Sequence, residues 1–288
     1  MIEEVFMLFS IITVSYNVKD EIKKTIDSVL QQTYLNYEYI IIDGASSDGT
    51  KDVADSFKSK FIEKKIKYVI VSEKDFGIYN AMNKGIKLAK GEWLLFLNAG
   101  DFLCHSSVLE KVSACICNST GIMYGQVFYK LYDLYKYVEN FSLNEIKSKM
   151  VFCHQSTFIS RKIMLKYKYD EQYKIAADYD FFLKCYVKKE EMSRIPFPIS
   201  VFQLGGVSSQ GGLLQQKELA EIRHNHGVLS DEEYMNEIAK INKNKKVYMI
   251  KDIFRKCIPQ KILQLIRVKT YVRGGVQYRF REINRRVL

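Results

Sequence analysis

The sequence predicts an α/β fold: a mainly parallel, Rossmann-like sheet flanked by helices, with a basic helical extension at the C-terminal end. Three observations predict it. Strand-length apolar runs alternate with helix-length amphipathic runs over the first hundred residues, the pattern of successive βαβ units. Three of those strands run into turns that carry a carboxylate, at Asp43, Asp75 and Asp101. From residue 240 onward, 15 Lys and Arg face only Asp252 and Glu282, a net charge of +13, whereas residues 1–239 sum to −2.

The elements follow in order. Residues 10–15 read as a buried strand, and residues 20–32 as a helix with Ile22, Ile26, Val29 and Leu30 at helical spacing. Residues 37–42 are a second buried strand, closed by Asp43-Gly44 and a polar turn, and a helix is expected from about residue 50 to 61. Residues 66–71 are the third strand. Residues 78–90 read as a helix through Ile78, Met82, Ile86 and Ala89, stopped by Gly91 just past its end. Trp93-Leu-Leu-Phe-Leu is the fourth strand and ends at Asn98-Ala-Gly-Asp101. Residues 121–137, rich in Tyr, Phe and Val, suggest strands or a hairpin. Residues 152–159 are expected to be a strand carrying His154 and Gln155. Residues 178–188 form a helix, and residues 195–202 a strand whose Pro196 and Pro198 argue for an edge position.

Composition narrows the class. An apolar fraction of 47% supports a packed core, and no apolar run approaches the ~18 residues of a membrane span. Glu3 and Glu4 stand where an export signal needs basic residues. The six cysteines (Cys104, Cys115, Cys117, Cys153, Cys185 and Cys257) form no Cys-x-x-Cys pair and share no ligand spacing with the four histidines. Reduced thiols in a cytoplasmic protein are expected, and a zinc site is not.

In an open α/β sheet, ligands bind outside the carboxyl ends of the strands, which places Asp43, Asp75 and Asp101 at one edge. Asp is also an ordinary turn residue, so each alone carries little. The first strand is followed by no Gly-x-Gly-x-x-Gly and the chain holds no P-loop, which disfavours a dinucleotide or a P-loop nucleotide site. Carboxylates facing a bound anion need a cation between them, so a divalent ion, Mn²⁺ or Mg²⁺, bridging Asp101 to a diphosphate is expected.

Four motifs, Thr13-Val-Ser-Tyr-Asn17, Ile42-Asp-Gly-Ala-Ser-Ser-Asp-Gly-Thr50, Asp75-Phe-Gly-Ile-Tyr-Asn-Ala-Met-Asn-Lys-Gly85 and Leu97-Asn-Ala-Gly-Asp101, together resemble family 2 glycosyltransferases, enzymes of GT-A fold in bacterial exopolysaccharide and O-antigen assembly. The resemblance spans about residues 8–210. It implies a catalytic domain over residues 1–212, with a nucleotide-sugar half over about 8–103 and an acceptor half over about 104–212, and leaves 213–288 as the extension. Carried over by position, Tyr16 and Asn17 line the nucleobase pocket, Asp43 hydrogen-bonds the base or ribose, and Asp75 faces the nucleotide. Asn83 and Lys84 approach the sugar or diphosphate, or else form a solvated helix face. Asn98-Ala-Gly-Asp101 matches the family's Asp-x-Asp-type region with departures: Asn98 stands where an Asp is usual, Gly100 replaces another, and Asp101 alone keeps its charge as metal ligand.

The family's catalytic base, usually in a Glu-Asp pair, falls on Asp178, with Ala177 in place of the Glu and Asp180 as the fallback. The chemistry needs a carboxylate that takes the proton of the acceptor hydroxyl. Asp178 also suits a plain helix N-cap. His154 and Gln155 match a His-Gln pair on the acceptor side. The expected activity is inverting transfer of single sugars from a nucleotide-diphosphate sugar, a UDP-sugar by resemblance, to a saccharide on a lipid carrier. Processive relatives carry Gln-x-x-Arg-Trp, which this chain lacks. A nucleotidyltransferase, or a non-catalytic protein on the same fold, are the alternatives. In the tail, Ile250, Ile253, Phe254, Cys257 and Ile258 at helical spacing among basic residues suggest binding to an anionic membrane surface rather than to nucleic acid, and a peripheral place at the inner face of the cell membrane.

Overall fold

The computed structural model describes residues 7–117, 120–132, 134–204 and 212–244, together with the short strand at 277–278. The first half alternates strand and helix: β1 (Phe9–Ser15), α1 (Lys19–Leu30), β2 (Tyr37–Asp43), α2 (Thr50–Asp55), α3 (Lys58–Glu63), β3 (Lys67–Ser72), α4 (Ile78–Leu88) and β4 (Trp93–Phe96). These four strands pair in parallel in the order β3-β2-β1-β4. The second half follows with β5 (Phe102–Leu103), α5 (Val108–Ser113), β6 (Ile122–Leu131), β7 (Leu134–Val138), β8 (Thr157–Ser160), α6 (Arg161–Tyr167), α7 (Ala177–Val187), β9 (Met192–Gln203), α8 (Leu213–Asn225), α9 (Asp231–Lys243) and β10 (Gln277–Tyr278). Here the pairing changes sense. β8 runs antiparallel to both β4 and β6, and β6 forms an antiparallel hairpin with β7, so the sheet as a whole is mixed.

Strands β1, β2 and β4 are buried along their whole length because both faces are covered, while β3, at the end of the strand order, is only partly buried. Phe9 and Ile11 pack with Ile22, Ile26 and Val29 of α1 and with Phe57 and Phe61. Ile12 and Val14, one step out of phase, pack with Met82 and Ile86 of α4, Phe181 and Phe182 of α7, and Ile222 of α8. Each such side chain contributes about 1.5–3 kcal/mol on burial, so the frame that carries the strand ends is held rigidly.

Four local expectations are corrected. The helix expected over residues 50–61 is two short helices, α2 and α3, broken at Ser56-Phe57. Val53, Phe57 and Phe61 keep one apolar spacing across the break, so periodicity does not register it. Helix α4 stops at Leu88, and Gly91 is not its left-handed cap. Gly91 instead lets the chain pass the β1 backbone, since a Cβ there falls 2.5 Å from Phe9 C and Ser10 N. The strand expected at 152–159 begins only at Thr157, and His154–Ser156 is a 3₁₀ turn. The edge position inferred from Pro196 and Pro198 holds for only part of β9: Ser200 and Val201 are paired on one side by β5 and on the other by β6.

Candidate active site

The register of the parallel strands sets Ser15, Asp43 and Ser72 level across β1, β2 and β3. Residues at one level of a sheet share a face, so both hydroxyls reach the Asp43 carboxylate, Ser15 Oγ at 3.1 Å and Ser72 Oγ at 2.6 Å. Ser46 adds its backbone N–H at 3.0 Å and its hydroxyl at 2.5 Å. Asp43 is buried and accepts from four donors, which makes it the hub that ties three strand ends to the turn after β2.

Around this hub the nucleotide-side candidates fall into two kinds. Asn17, in the left-handed region at φ 50°, joins two loops: its amide oxygen accepts from Ser47 N and its own N–H donates to Ser46 Oγ, each at 2.9 Å. Tyr16 is 65% exposed and Asp75 is partly covered, and both close on Gly44. A Cβ at Gly44 would stand 2.6 Å from Asp75 Oδ2 and 3.2 Å from Tyr16 Cδ2. Glycine there keeps open a cradle walled by Tyr16 and Asp75. Asp75 is held in place by accepting from Gly77 N at 3.0 Å.

The end of β4 is a tight turn. Asp101 N donates to Asn98 O at 2.9 Å, and Gly100 at φ 102° occupies the position where a type II turn needs glycine. A side chain at residue 100 would be strained in this conformation. Immediately afterwards β5 pairs with β9 and brings Gln203 over the turn, where its N–H donates to Asp101 Oδ1 at 2.8 Å. Gln155 also hydrogen-bonds Asp101 through its side chain. These donors do not offset desolvation: burial pushes the Asp101 carboxyl up to about 8. Beside it, Asn98 Oδ1 is buried without a hydrogen-bond partner. Among the described residues no three His, Cys, Asp or Glu side chains cluster as a metal site.

The 3₁₀ turn at His154–Ser156 faces two ways. Gln155 reaches Asp101, while His154 Nε2 and the Tyr169 hydroxyl share a 2.7 Å hydrogen bond, with the imidazole packed against Phe96 and Phe182. Burial lowers the His154 imidazole to about 3, so it stays neutral. Asp178 stands in the first turn of α7 rather than at the cap, which is Ala176. Its Oδ1 accepts from the Tyr79 hydroxyl at 3.1 Å and from Tyr179 N at 2.9 Å. Burial raises it to about 6. Burial pushes the Cys153 thiol up, and Asp101 and Asp178 act in the same direction.

Three candidates point elsewhere. Asp180 is buried against α8, accepting from Lys184 at 3.1 Å and pairing with His226 Nε2 at 2.7 Å. Burial raises its pKa, but His226 and Lys184 outweigh that and leave it below the usual value. Asn83 is buried and clasps the backbone of Tyr169, Nδ2 to O at 2.9 Å and N to Oδ1 at 3.1 Å, with Glu171 as a further acceptor at 2.8 Å. Lys84 Nζ pairs with Glu73 and donates to Lys74 O. The polar residues of α4 thus hold the β3–α4 loop and the loop before α7. The membrane-binding expectation for the tail lies outside the described residues, apart from the pairing of β10 with β7.

The sequence profile described as Glycosyl transferase family 2 matches residues 10–174. The chain belongs to that family. A PGL/p-HBAD biosynthesis glycosyltransferase of Mycobacterium bovis is 32% identical to this transferase over 207 residues, covering 70% of this chain and 79% of the relative. A UDP-Glc:α-D-GlcNAc-diphosphoundecaprenol β-1,3-glucosyltransferase of Escherichia coli is 35% identical over 119 residues, covering 41% of this chain and 45% of the relative. Among solved structures, a mannosyltransferase from Pyrobaculum calidifontis bound to GDP-Man and Mn²⁺ superposes with a TM-score of 0.60 at 14% identity, covering 93% of this chain and 81% of that one. At that identity the likeness establishes the shared GT-A fold.

Tyr79 and Gln203, neither of them singled out by sequence pattern, also hold the candidate site. Tyr79 sits inside a quoted motif, yet nothing local shows that its hydroxyl ends on Asp178 and on Ile175 O, 2.8 Å away. Gln203 contributes a backbone N–H to Asp101, and a backbone donor leaves no mark in the side-chain sequence.

Proposed function

We propose that this transferase moves a sugar from a UDP-sugar to a hydroxyl of a lipid-linked saccharide, with inversion at the anomeric carbon, in the assembly of a bacterial surface polysaccharide. The observation that carries the reading is two carboxylates raised by desolvation above the usual carboxylate value, Asp101 buried in the turn after β4 and Asp178 half-buried in the first turn of α7. A UDP-sugar donor is supported by the relative named for UDP-Glc, 35% identical over its matched 119 residues. The same relative's diphosphoundecaprenol acceptor supports a lipid-linked substrate.

Tyr16, Gly44 and Asp75 form the cradle for the nucleotide, with Asp43 fixing the strand ends beneath it. The Asn98–Asp101 turn fits a divalent ion, Mn²⁺ or Mg²⁺: it offers a carboxylate and an orphaned amide oxygen, both hard donors. Asp101 and Asn98 would hold it, and such an ion supplies Lewis-acid stabilisation of the departing diphosphate. Asp178 does the proton chemistry. At about 6 it is mostly ionised at neutral pH while remaining a stronger base than an ordinary carboxylate. It takes the proton of the acceptor hydroxyl as that oxygen bonds to the anomeric carbon, and the bond to the diphosphate breaks with its electron pair leaving on UDP. A single displacement of this kind inverts the centre.

The test is Asp178→Asn. UDP release from UDP-glucose, with GlcNAc-diphospho-lipid as acceptor and Mn²⁺ present, is expected to fall on the order of 10²–10⁴-fold while UDP affinity holds. Wild-type turnover would remove Asp178 as the base. Among the described residues no helix is long and apolar enough to cross a membrane. A peripheral location at the inner face of the cell membrane, through the tail's charge of +13, is the matching proposal. Co-sedimentation with anionic liposomes should be lost in a chain ending at Asn244, and equal binding by both forms would defeat it.

A further inference from the structure

Helix α7 starts without a cap of its own. Ala176 stands at the N-cap position and makes no side-chain hydrogen bond, although the first turn of a helix leaves backbone N–H groups without intrahelical partners. The segment that leads into the helix is instead held from α8. The buried Glu218 carboxylate accepts from three consecutive N–H groups: Lys174 at 2.7 Å, Ile175 at 2.9 Å and Ala176 at 2.9 Å. Asp178 follows two residues later.

The contact belongs to a built interface. Glu218, Ile222, Asn225 and His226 recur at the spacing of one helical face. Ile222 enters the core with Phe181 and Phe182, Asn225 Nδ2 donates to the Tyr173 hydroxyl at 3.0 Å, and His226 pairs with Asp180. All four meet residues 173–182. This face lies beyond residue 174, where the family match ends.

We propose that Glu218 is the positioning residue of Asp178, setting the start of α7 and the charge environment in which that carboxylate works. The inference rests on Asp178 being the base. Two holds converge on it: Glu218 fixes the backbone before the helix, and Tyr79 from α4 fixes the carboxylate and the Ile175 carbonyl. The groups facing Asp178 are Tyr79, Tyr169, Cys153 and Glu218. Burial first, then Asp178, raises both phenols, and burial raises the thiol, so these three remain neutral. Glu218 is the negative neighbour, and its field acts in the same direction as burial. Removing that charge lowers the pH at which Asp178 loses its proton.

The experiment uses the full chain labelled with carboxyl-¹³C aspartate, the Asp178 signal being assigned by its loss in Asp178→Asn. Glu218→Gln should move the Asp178 titration midpoint to lower pH and cut UDP-glucose turnover, on the order of 10²-fold for a displaced catalytic group, with UDP affinity unchanged. Glu218→Asp keeps the charge but cannot span three N–H groups. It should leave the midpoint near wild type and still lower turnover, and it serves if the Gln variant does not fold. An unmoved midpoint with wild-type turnover in Glu218→Gln overturns the proposal, as does a loss of turnover matched by an equal loss of UDP affinity, which marks a purely structural residue. Wild-type turnover in Asp178→Asn instead removes the base assignment itself, so the two failures are told apart.

Discussion

Asp43 and Asp101 close strands on either side of β1, yet their surroundings are opposite. Asp43 accepts from three hydroxyls and one backbone N–H, all drawn to it by strand register and a tight turn. Asp101 is equally buried but has the Gln203 N–H and the Gln155 side chain against full desolvation, and burial wins. The same residue type at the same edge of one sheet is therefore a structural hub in one place and a sparsely hydrogen-bonded carboxyl in the other. What separates them is the number of donors each neighbouring strand delivers, since a buried carboxylate is stable only to the extent that it is hydrogen-bonded or paired.

The sharpest way to break this comparison is Asp101→Asn. Mn²⁺-supported turnover of UDP-glucose should fall on the order of 10²-fold, the scale seen when one electrostatic stabiliser of a leaving or developing charge is removed. Stability should respond in the other direction. The Asp101 carboxyl sits near 8 in the folded chain against an ordinary 3.8, so its contribution is intact at low pH and is lost as pH rises through 8. The Asn variant lacks that loss. Thermal melts of the metal-free protein should therefore place it closer to, or above, wild type at pH 8.5 than at pH 5, and a parallel pH dependence would contradict the assignment. A smaller effect is expected at Asp43. Asp43→Asn leaves hydroxyls unsatisfied and should lower unfolding free energy by about 1–3 kcal/mol, read as a lower urea midpoint. Full stability with lost UDP binding would recast Asp43 as a ligand contact rather than a hub.

The strand ends were legible in the sequence because each closes a long apolar run at a Gly- or Asp-rich turn. The partners of those ends were not. Residues 152–159 have the apolar, β-branched composition of a strand at their ends, in Phe152, Thr157, Phe158 and Ile159, whereas Cys153, His154 and Gln155 between them find partners through the 3₁₀ turn. Gly100 read as the loss of a carboxylate until its φ of 102° showed the turn that requires it. Glu218 was invisible for a more general reason: it binds three backbone N–H groups, and such a partner has no side-chain signature.

The double engagement of α4 bears on how such enzymes can be recombined. Asn80 and Asn83 share the Glu171 carboxylate, Asn83 also clasps Tyr169, and Tyr79 holds Ile175 and Asp178. A chimera that exchanges the first hundred residues to alter donor choice remakes these contacts only if its α4 carries side chains equivalent to Tyr79, Asn80 and Asn83 against the native 169–178 loop. The natural crossover unit is discontinuous: residues 78–88 and 169–178 must travel together, even though eighty residues of sequence lie between them.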